Sequence, residues 1–421
     1  MIAAGLFVAY GALGGSSPRA QAATSALAPR AQAADPQAAQ ALLAKTVELR
    51  IGKETAVKTW AELGVVLDET EAKSPTQALP LRLDLERAQA ALRELKSHHD
   101  RAPINAFLDL EHRKVVDDLQ GEGVDLWGSL PRIEAAARAG ASSVELLAVP
   151  VPAAVTKQGL GIDDISQVLG TFTTKFSVSD RERNFNLKLA ASKLNGVVMQ
   201  PHQELSFNDT VGERSEKQGY KVAHVITAGE MVDGLAGGTC QISTTLFGAS
   251  FFAGLDIVKT TAHSRPSVYT PLGFDATVVW PNTDLKLANP YDFPVVIHYR
   301  VAGGEATVEV LGKKRPWDKI VFERKVVETS PFATEERLDE KLPMGVTTLD
   351  QVGFEGYTLT RFRRFYKDGE QAKVEKWRVQ YKPVTEYVRR GTNPDPEAKL
   401  PKDKPHHGPQ APKSDSFSMS Q

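Results

Sequence analysis

The chain has 421 residues, and its 51 Lys+Arg nearly balance 52 Asp+Glu for a formal net charge of −1, which gives no electrostatic basis for binding nucleic acid or an anionic membrane. The length accommodates roughly three domains. One cysteine cannot form an intramolecular disulfide, so packing has to hold the fold together.

The N-terminal run IAAGLFVAYGALGG is uncharged and apolar, and Ala20-Gln21-Ala22 after it is a small-x-small cleavage pattern. Residues 1–22 therefore read as an export signal, although no basic residue precedes the run. The run is short beside the about 20 residues of a membrane span, with a buried segment or an N-terminal membrane anchor as alternatives. Export places the protein in the periplasm or the extracellular cell wall. No later segment is apolar enough to span a membrane once the signal is removed. Residues 23–40 are rich in Ala, Pro and Gln and read as a linker.

Residues 41–158 alternate short strands with amphipathic helices, an α+β module. KTVELRIG alternates like a strand. LPLRLDLERAQAALRELKSHHD begins as a strand and ends as a helix with Leu85, Ala88, Leu92 and Leu95 on one face. APINAFLDLEHRKVVDDLQGEGVDL predicts two strands about a charged turn, and Ser129 with Pro131 predicts a helix start. A second α+β unit covers 166–315. Asp180 caps a helix from Arg181 to Leu194 that buries Leu187, Ala190, Ala191 and Leu194. ELSFNDTVG and YKVAHVITAGEMV each read as a strand, as do SVYTP, DATVVW, PVVIHYRV and EATVEVLG, the last two joined through Ala302-Gly303-Gly304. Residues 316–393 predict a thin all-β module with a turn at Tyr366-Lys367-Asp368-Gly369, and 394–421 a disordered tail.

The lone Cys240 follows Gly237-Gly238-Thr239. A helix starting at Cys240 carries Ile242, Leu246, Ala249 and Ala253 on one side and Phe247 and Phe251 beside them, so it reads as a buried central helix with a polar tip. Unpaired N–H groups and the helix dipole at that tip favour the thiolate. Gly237 and Gly238 leave room for a substrate backbone, and their N–H groups suit an oxyanion. Gln241, Ser243, Thr244 and Arg265 complete the candidate substrate-binding set. A thiol nucleophile needs a base and an orienter. His263 and Asp275, on neighbouring strands of a hairpin, fill those roles in the chain order of papain-type enzymes. The competing reading makes Cys240 a compact core residue, His263 a strand cap and Asp275 a turn partner. His98-His99-Asp100 and His406-His407 lack further ligands at metal spacing, Glu204 reads as a strand-end surface residue, and no metal or cofactor motif stands out.

The segments RNFNLKLAASKLNGVVMQPHQELSFNDTVGERSEKQGYKVA, GGTCQISTTLFGASFFAGLDIV and AHSRPSVYTPLGFDATVVWPNTDLKLANPYDFPVVI, closing with VEVLG, resemble the VanW family over about residues 166–315. That family is named for an accessory gene in vancomycin-resistance clusters. The sequence departs from it in two places: Ala236 stands where a third glycine is usual, and His202-Gln203 interrupts the usual Pro-Gly-Glu pattern after Pro201. Residues 41–158 are similar to a peptidoglycan-binding domain that often precedes VanW, and 316–393 resemble the G-five domain. The resemblance implies an exported cell-envelope protein whose partner is peptidoglycan or another cell-wall polymer, and it carries no assigned reaction. Two readings stay open. One is a Cys240 peptidase or transpeptidase acting on peptide stems. The other is a non-catalytic wall-binding or scaffolding protein, with redox sensing by the lone thiol as a third.

Overall fold

A computed structural model describes residues 35–73, 78–227, 230–395, 397, 399 and 414–421. The export signal, most of the linker and His406-His407 lie outside the described residues. Two compact units emerge, one running to Ala102 and including Gly121–Val151, the other formed by Pro103–Gln120 with Pro152–Gln421.

In the first unit, helix α1 (Pro36–Leu43) occupies the end of the expected linker, started by Asp35, whose carboxylate accepts from the Ala38 amide (2.9 Å). Strand Thr46–Ile51 pairs antiparallel with Glu54–Thr59 and parallel with Ser143–Leu146. Helices α2 (Leu85–His99) and α3 (Leu126–Arg138) pack their apolar faces on this sheet around Leu49, Trp60, Leu92 and Ile133. Leu85, expected on the buried face of α2, is 58% exposed because it is the first helical residue, beside the cap Asp84. Asp125, not Ser129, caps α3; Ser129 is buried and its hydroxyl accepts from the Leu147 amide (3.0 Å). Pro131 lies within the helix.

The expected first module loses residues 103–120 and 152–158 to the second unit. The hairpin Phe107–Asp109/Lys114–Val116 carries Arg113 to Glu309 (2.9 Å) and Glu111 to His298 (3.3 Å), and both of those partners are buried side chains that need polar contacts.

In the second unit, strands Gln167–Lys175, Glu305–Gly312, Val295–Ala302 and Val198–Met199 form an antiparallel sheet in that order. Gly303-Gly304, both at positive φ, close the predicted hairpin. Helix α4 (Arg181–Leu194) starts at Asp180 and buries the four residues expected of it. The segment read as one strand after Glu204 is a short strand, Glu204–Ser206, and then helix α5 (Phe207–Val211), because Ser206 accepts from the Asp209 amide (3.0 Å) and caps it. YKVAHVITAGEMV forms two paired strands, Val222–Thr227 and Glu230–Leu235. Helix α6 (Thr239–Ala253) crosses the sheet at close range. A Cβ on Gly170 would meet the Ala253 amide nitrogen at 2.2 Å, and one on Gly248 would meet the Phe172 ring at 2.4 Å.

After it, the all-β module forms a four-stranded sheet, Glu370–Tyr381, Gly356–Lys367, Lys319–Ser330 and Ser416–Ser420, and a three-stranded one, Thr334–Pro343, Glu386–Asn393 and Thr347–Gln351. Residues 416–420 thus form an edge strand where composition predicted a disordered tail. Phe417 and Met419 supply its anchors, and the Gln421 side chain bonds both backbone groups of Thr171.

Candidate active site

Every residue of α6 except Cys240 is buried. A helix enclosed on all sides needs internal partners for its polar side chains, and α6 supplies them. Gln241 donates to the Thr174 hydroxyl (3.0 Å) and the Lys175 carbonyl (2.9 Å) and accepts from Arg183 (2.7 Å). Ser243 donates to the Ala276 carbonyl (2.5 Å), and Thr244 accepts from the Ala276 amide (3.0 Å). These three residues, expected to face a substrate, are 1% exposed or less, so the sequence reading of them is corrected: they fasten the helix to its surroundings. Gly238 is the N-cap at φ 105°, and a Cβ there would press on Arg183 and Leu187 at 3.2–3.3 Å. The Gly237 carbonyl accepts from buried Asn186 of α4 (3.1 Å). Gly238 is therefore required by the turn itself. Arg265 is buried with its guanidinium 5.2 Å from the Phe354 ring centroid. Glu204 pairs at the surface with Lys286 (3.0 Å).

Cys240 is partly exposed at the second position of the helix. Its Sγ donates to the Val278 carbonyl (3.4 Å), and His263 is near enough to act on it electrostatically. The stretch from Thr260 to Leu285 contains no strands beyond an isolated bridge between Val279 and Thr283, so the expected hairpin strands SVYTP and DATVVW are absent. Side chains of α6 take the place of a ladder: Ser243 and Thr244 hold Ala276, while the Thr277 amide bonds the Thr261 carbonyl (2.7 Å). The buried Phe274 ring, 4.6 Å from that of Phe322 and 5.1 Å from that of Phe247, anchors the residue next to Asp275.

The irregular loop nevertheless brings His263 and Asp275 together. Asp275 Oδ2 accepts from the His263 backbone amide (2.8 Å) and contacts its Nδ1 (2.5 Å). Both side chains are nearly sealed, at 6% and 1% exposure. Nδ1 also meets the Ser267 hydroxyl (3.2 Å), and the Tyr269 hydroxyl lies 3.5 Å from Nε2. Asp275 Oδ1 accepts from the Tyr381 hydroxyl.

Burial disfavours charge on each member of this group, and mutual contact overrides it. Burial pushes the Cys240 thiol up, but the positive charge of His263 and Arg214 pulls it below the ordinary thiol range. Burial opposes the imidazolium of His263, while Tyr269, Asp275 and Cys240 hold it well above the ordinary histidine range. Asp275 stays below the usual carboxylate range, since burial is outweighed by His263 and Tyr381. All three shifts run in the direction that would favour a thiolate beside an imidazolium backed by a carboxylate. Residue type alone does not mark Ser267, Tyr269 and Arg214, although they lie in the family-like segments, and Tyr381 is remote in the chain. Among the described residues no cluster of His, Cys, Asp or Glu could hold a metal, and no helix is long and apolar enough to cross a membrane. His98 bonds the Glu94 carbonyl (2.8 Å) and His99 pairs with Glu54.

Comparison with known proteins fits this architecture. Residues 182–311 match the family described as VanW like protein, and residues 322–393 match the G5 domain. The chain is 33% identical over 235 residues to the uncharacterized protein YoaR of Bacillus subtilis (strain 168), covering 56% of this chain and 77% of that protein. It is 30% identical over 137 residues to the vancomycin B-type resistance protein VanW of Enterococcus faecalis (strain ATCC 700802 / V583), covering 31% of this chain and 50% of that one. Among solved structures, the IgA1 protease G5 domain is 20% identical with a TM-score of 0.13, covering 18% of this chain and 90% of that structure. HP0197-G5 is 22% identical with a TM-score of 0.11, covering 17% and 97%. With a VanW-like domain followed by a G5 domain, the chain belongs to the VanW-like protein family.

Proposed function

We propose that this is an exported cell-envelope protein that binds peptidoglycan and acts on its peptide stems through the Cys240 thiolate. One observation carries the reading. The single partly exposed residue of an otherwise buried helix is a thiol, and a buried His263–Asp275 pair is near enough to act on it electrostatically. Desolvating two charges is costly and adds little stability on its own, so an imidazolium held between a carboxylate and a thiolate is an arrangement suited to chemistry.

In this mechanism the S–H proton already resides on His263 Nε2. The thiolate attacks the stem carbonyl carbon, forming a C–S bond while the C=O electron pair moves to oxygen. Backbone N–H groups near Gly238 stabilise that oxyanion. Collapse breaks the C–N bond, and the amine leaves with the proton from His263. Water or a second amine then attacks the thioester, giving its proton to His263 and returning the thiolate. The outcome is hydrolysis or transpeptidation.

A second reading has its own support. Asp275 binds the His263 amide and the Tyr381 hydroxyl and so fastens a strandless loop, as a wall-binding protein without catalysis would also need. Incubation of the full chain with purified peptidoglycan and synthetic stem peptides separates the two. New amino groups or cross-links that vanish in Cys240→Ser and His263→Ala support the enzyme. Binding of peptidoglycan without turnover supports the scaffold.

A further inference from the structure

The turn that carries Asp275 is held by the G5 domain. The Arg324 guanidinium donates to the Leu272 carbonyl (3.1 Å) and that of Arg361 to the Gly273 carbonyl (3.3 Å). The Gly273 amide donates to the Tyr381 oxygen (3.0 Å), and the Tyr381 hydroxyl in turn donates to Asp275 Oδ1. Tyr381 closes the strand Glu370–Tyr381 and is 2% exposed, as is Arg361. A carboxylate has two oxygens to satisfy. His263 takes Oδ2 through two bonds, and Oδ1 has Tyr381 as its donor. Without the phenol, a buried charged oxygen would face no donor, and the plane of the carboxylate that sets the imidazole would be held from one side only. Burial and the Asp275 charge keep Tyr381 protonated, far above the ordinary phenol range, so it remains a donor throughout the working pH range.

We propose that Tyr381 is a positioning residue for the Cys240–His263–Asp275 group, so that the reactive thiol of the VanW-like domain depends on a side chain delivered by the docked G5 domain. This inference rests on the Cys–His reading above. It makes the G5 domain a structural part of the site as well as a module for wall attachment.

The test is the pH profile of iodoacetamide alkylation of Cys240 in the full chain. Tyr381→Phe keeps the ring and removes the donor. The expected result is an upward move of the apparent thiol pKa by about half a unit to one unit, a roughly three- to tenfold loss of thiolate below that pKa. Tyr357→Phe serves as the control, because that hydroxyl bonds only Glu355 within the G5 domain (3.0 Å); it leaves the profile in place. A Tyr381→Phe protein with a lower denaturation midpoint but an unmoved profile would show a merely structural tyrosine and overturn the proposal. If His263→Ala also fails to move the profile, the Cys–His reading falls, and the positioning role with it. If His263→Ala moves the profile and Tyr381→Phe does not, only the positioning role falls. A tyrosine-labelled wild-type protein gives a reading that needs no folded variant. The Tyr381 ring resonance shifts with the midpoint of Cys240 alkylation, and a resonance blind to that titration contradicts the proposal.

Discussion

Replacing Asp275 by Asn tests the buried pair most quantitatively. The carboxylate takes two bonds from His263 and one from Tyr381, all away from solvent. An Asn has one acceptor oxygen. If it faces His263, its NH2 faces the Tyr381 hydroxyl, which already accepts from Gly273 and loses its acceptor. The imidazolium also loses its counter-charge. Removing one partner of a buried, hydrogen-bonded ion pair costs about 3–5 kcal/mol. With a urea slope of about 3 kcal/mol per molar, the unfolding midpoint falls by about 1 M or more. The deficit depends on pH with a definite sign. The Asp275 pKa is lowered by folding, so its contribution is present above about 3.9 and is lost as pH falls through the lowered folded value. The His263 pKa is raised, so its contribution is present below about 6.5 and is lost as pH rises through the raised folded value. The wild type and Asp275→Asn therefore differ most between about pH 3.9 and 6.5, less as pH rises through the raised His263 value, and least below the lowered Asp275 value. A deficit under about 1 kcal/mol, or one flat with pH, would refute a charged buried pair.

Two further substitutions probe the supports. Arg363 is fully buried and donates to the carbonyls of Leu255 (2.8 Å) and Phe251 (3.3 Å) near the end of α6 and to Glu375 (2.7 Å). Arg363→Met strands those acceptors and lowers stability by about 3–5 kcal/mol in denaturant titration; a neutral effect would mean that the G5 sheet does not clamp the helix through this residue. His202 holds φ 62° on the surface, and His202→Gly relieves left-handed strain of about 1–2 kcal/mol against an entropic cost of about half that, for a net gain of about 0.5–1 kcal/mol in the same assay. A loss of stability would contradict the strain.

Much of the scaffold could be read in the sequence, and the reasons are local. Asp180, the apolar stripe of α4 and the Gly303-Gly304 turn act through neighbours in the chain, so periodicity and turn chemistry reveal them. The two departures from the family pattern also have a local meaning. Ala236 and His202 both occupy left-handed backbone (φ 62° each), where glycine is favoured. Residue type singles out Cys240, His263 and Asp275 as candidates, yet the hairpin expected for His263 and Asp275 is absent. Alternating apolar residues in DATVVW suggested a strand, while Ser243 and Thr244 on α6 claim the backbone groups that a ladder would use. Polar residues after the cysteine looked like a binding surface for the same reason, because their acceptors lie on elements far along the chain. Tyr381, Arg361 and Arg363 were invisible for want of any local pattern, since buried arginines and tyrosines on an alternating strand read as its exposed face.

The most direct test of the central claim is the rate of Cys240 alkylation by iodoacetamide against pH, in the wild type and in His263→Ala. The account predicts a native-state rate with an apparent pKa clearly below the ordinary thiol value of about 8.5, moving upward when the imidazole is removed. A thiol that reacts only after denaturation, or one whose profile ignores His263, would contradict it.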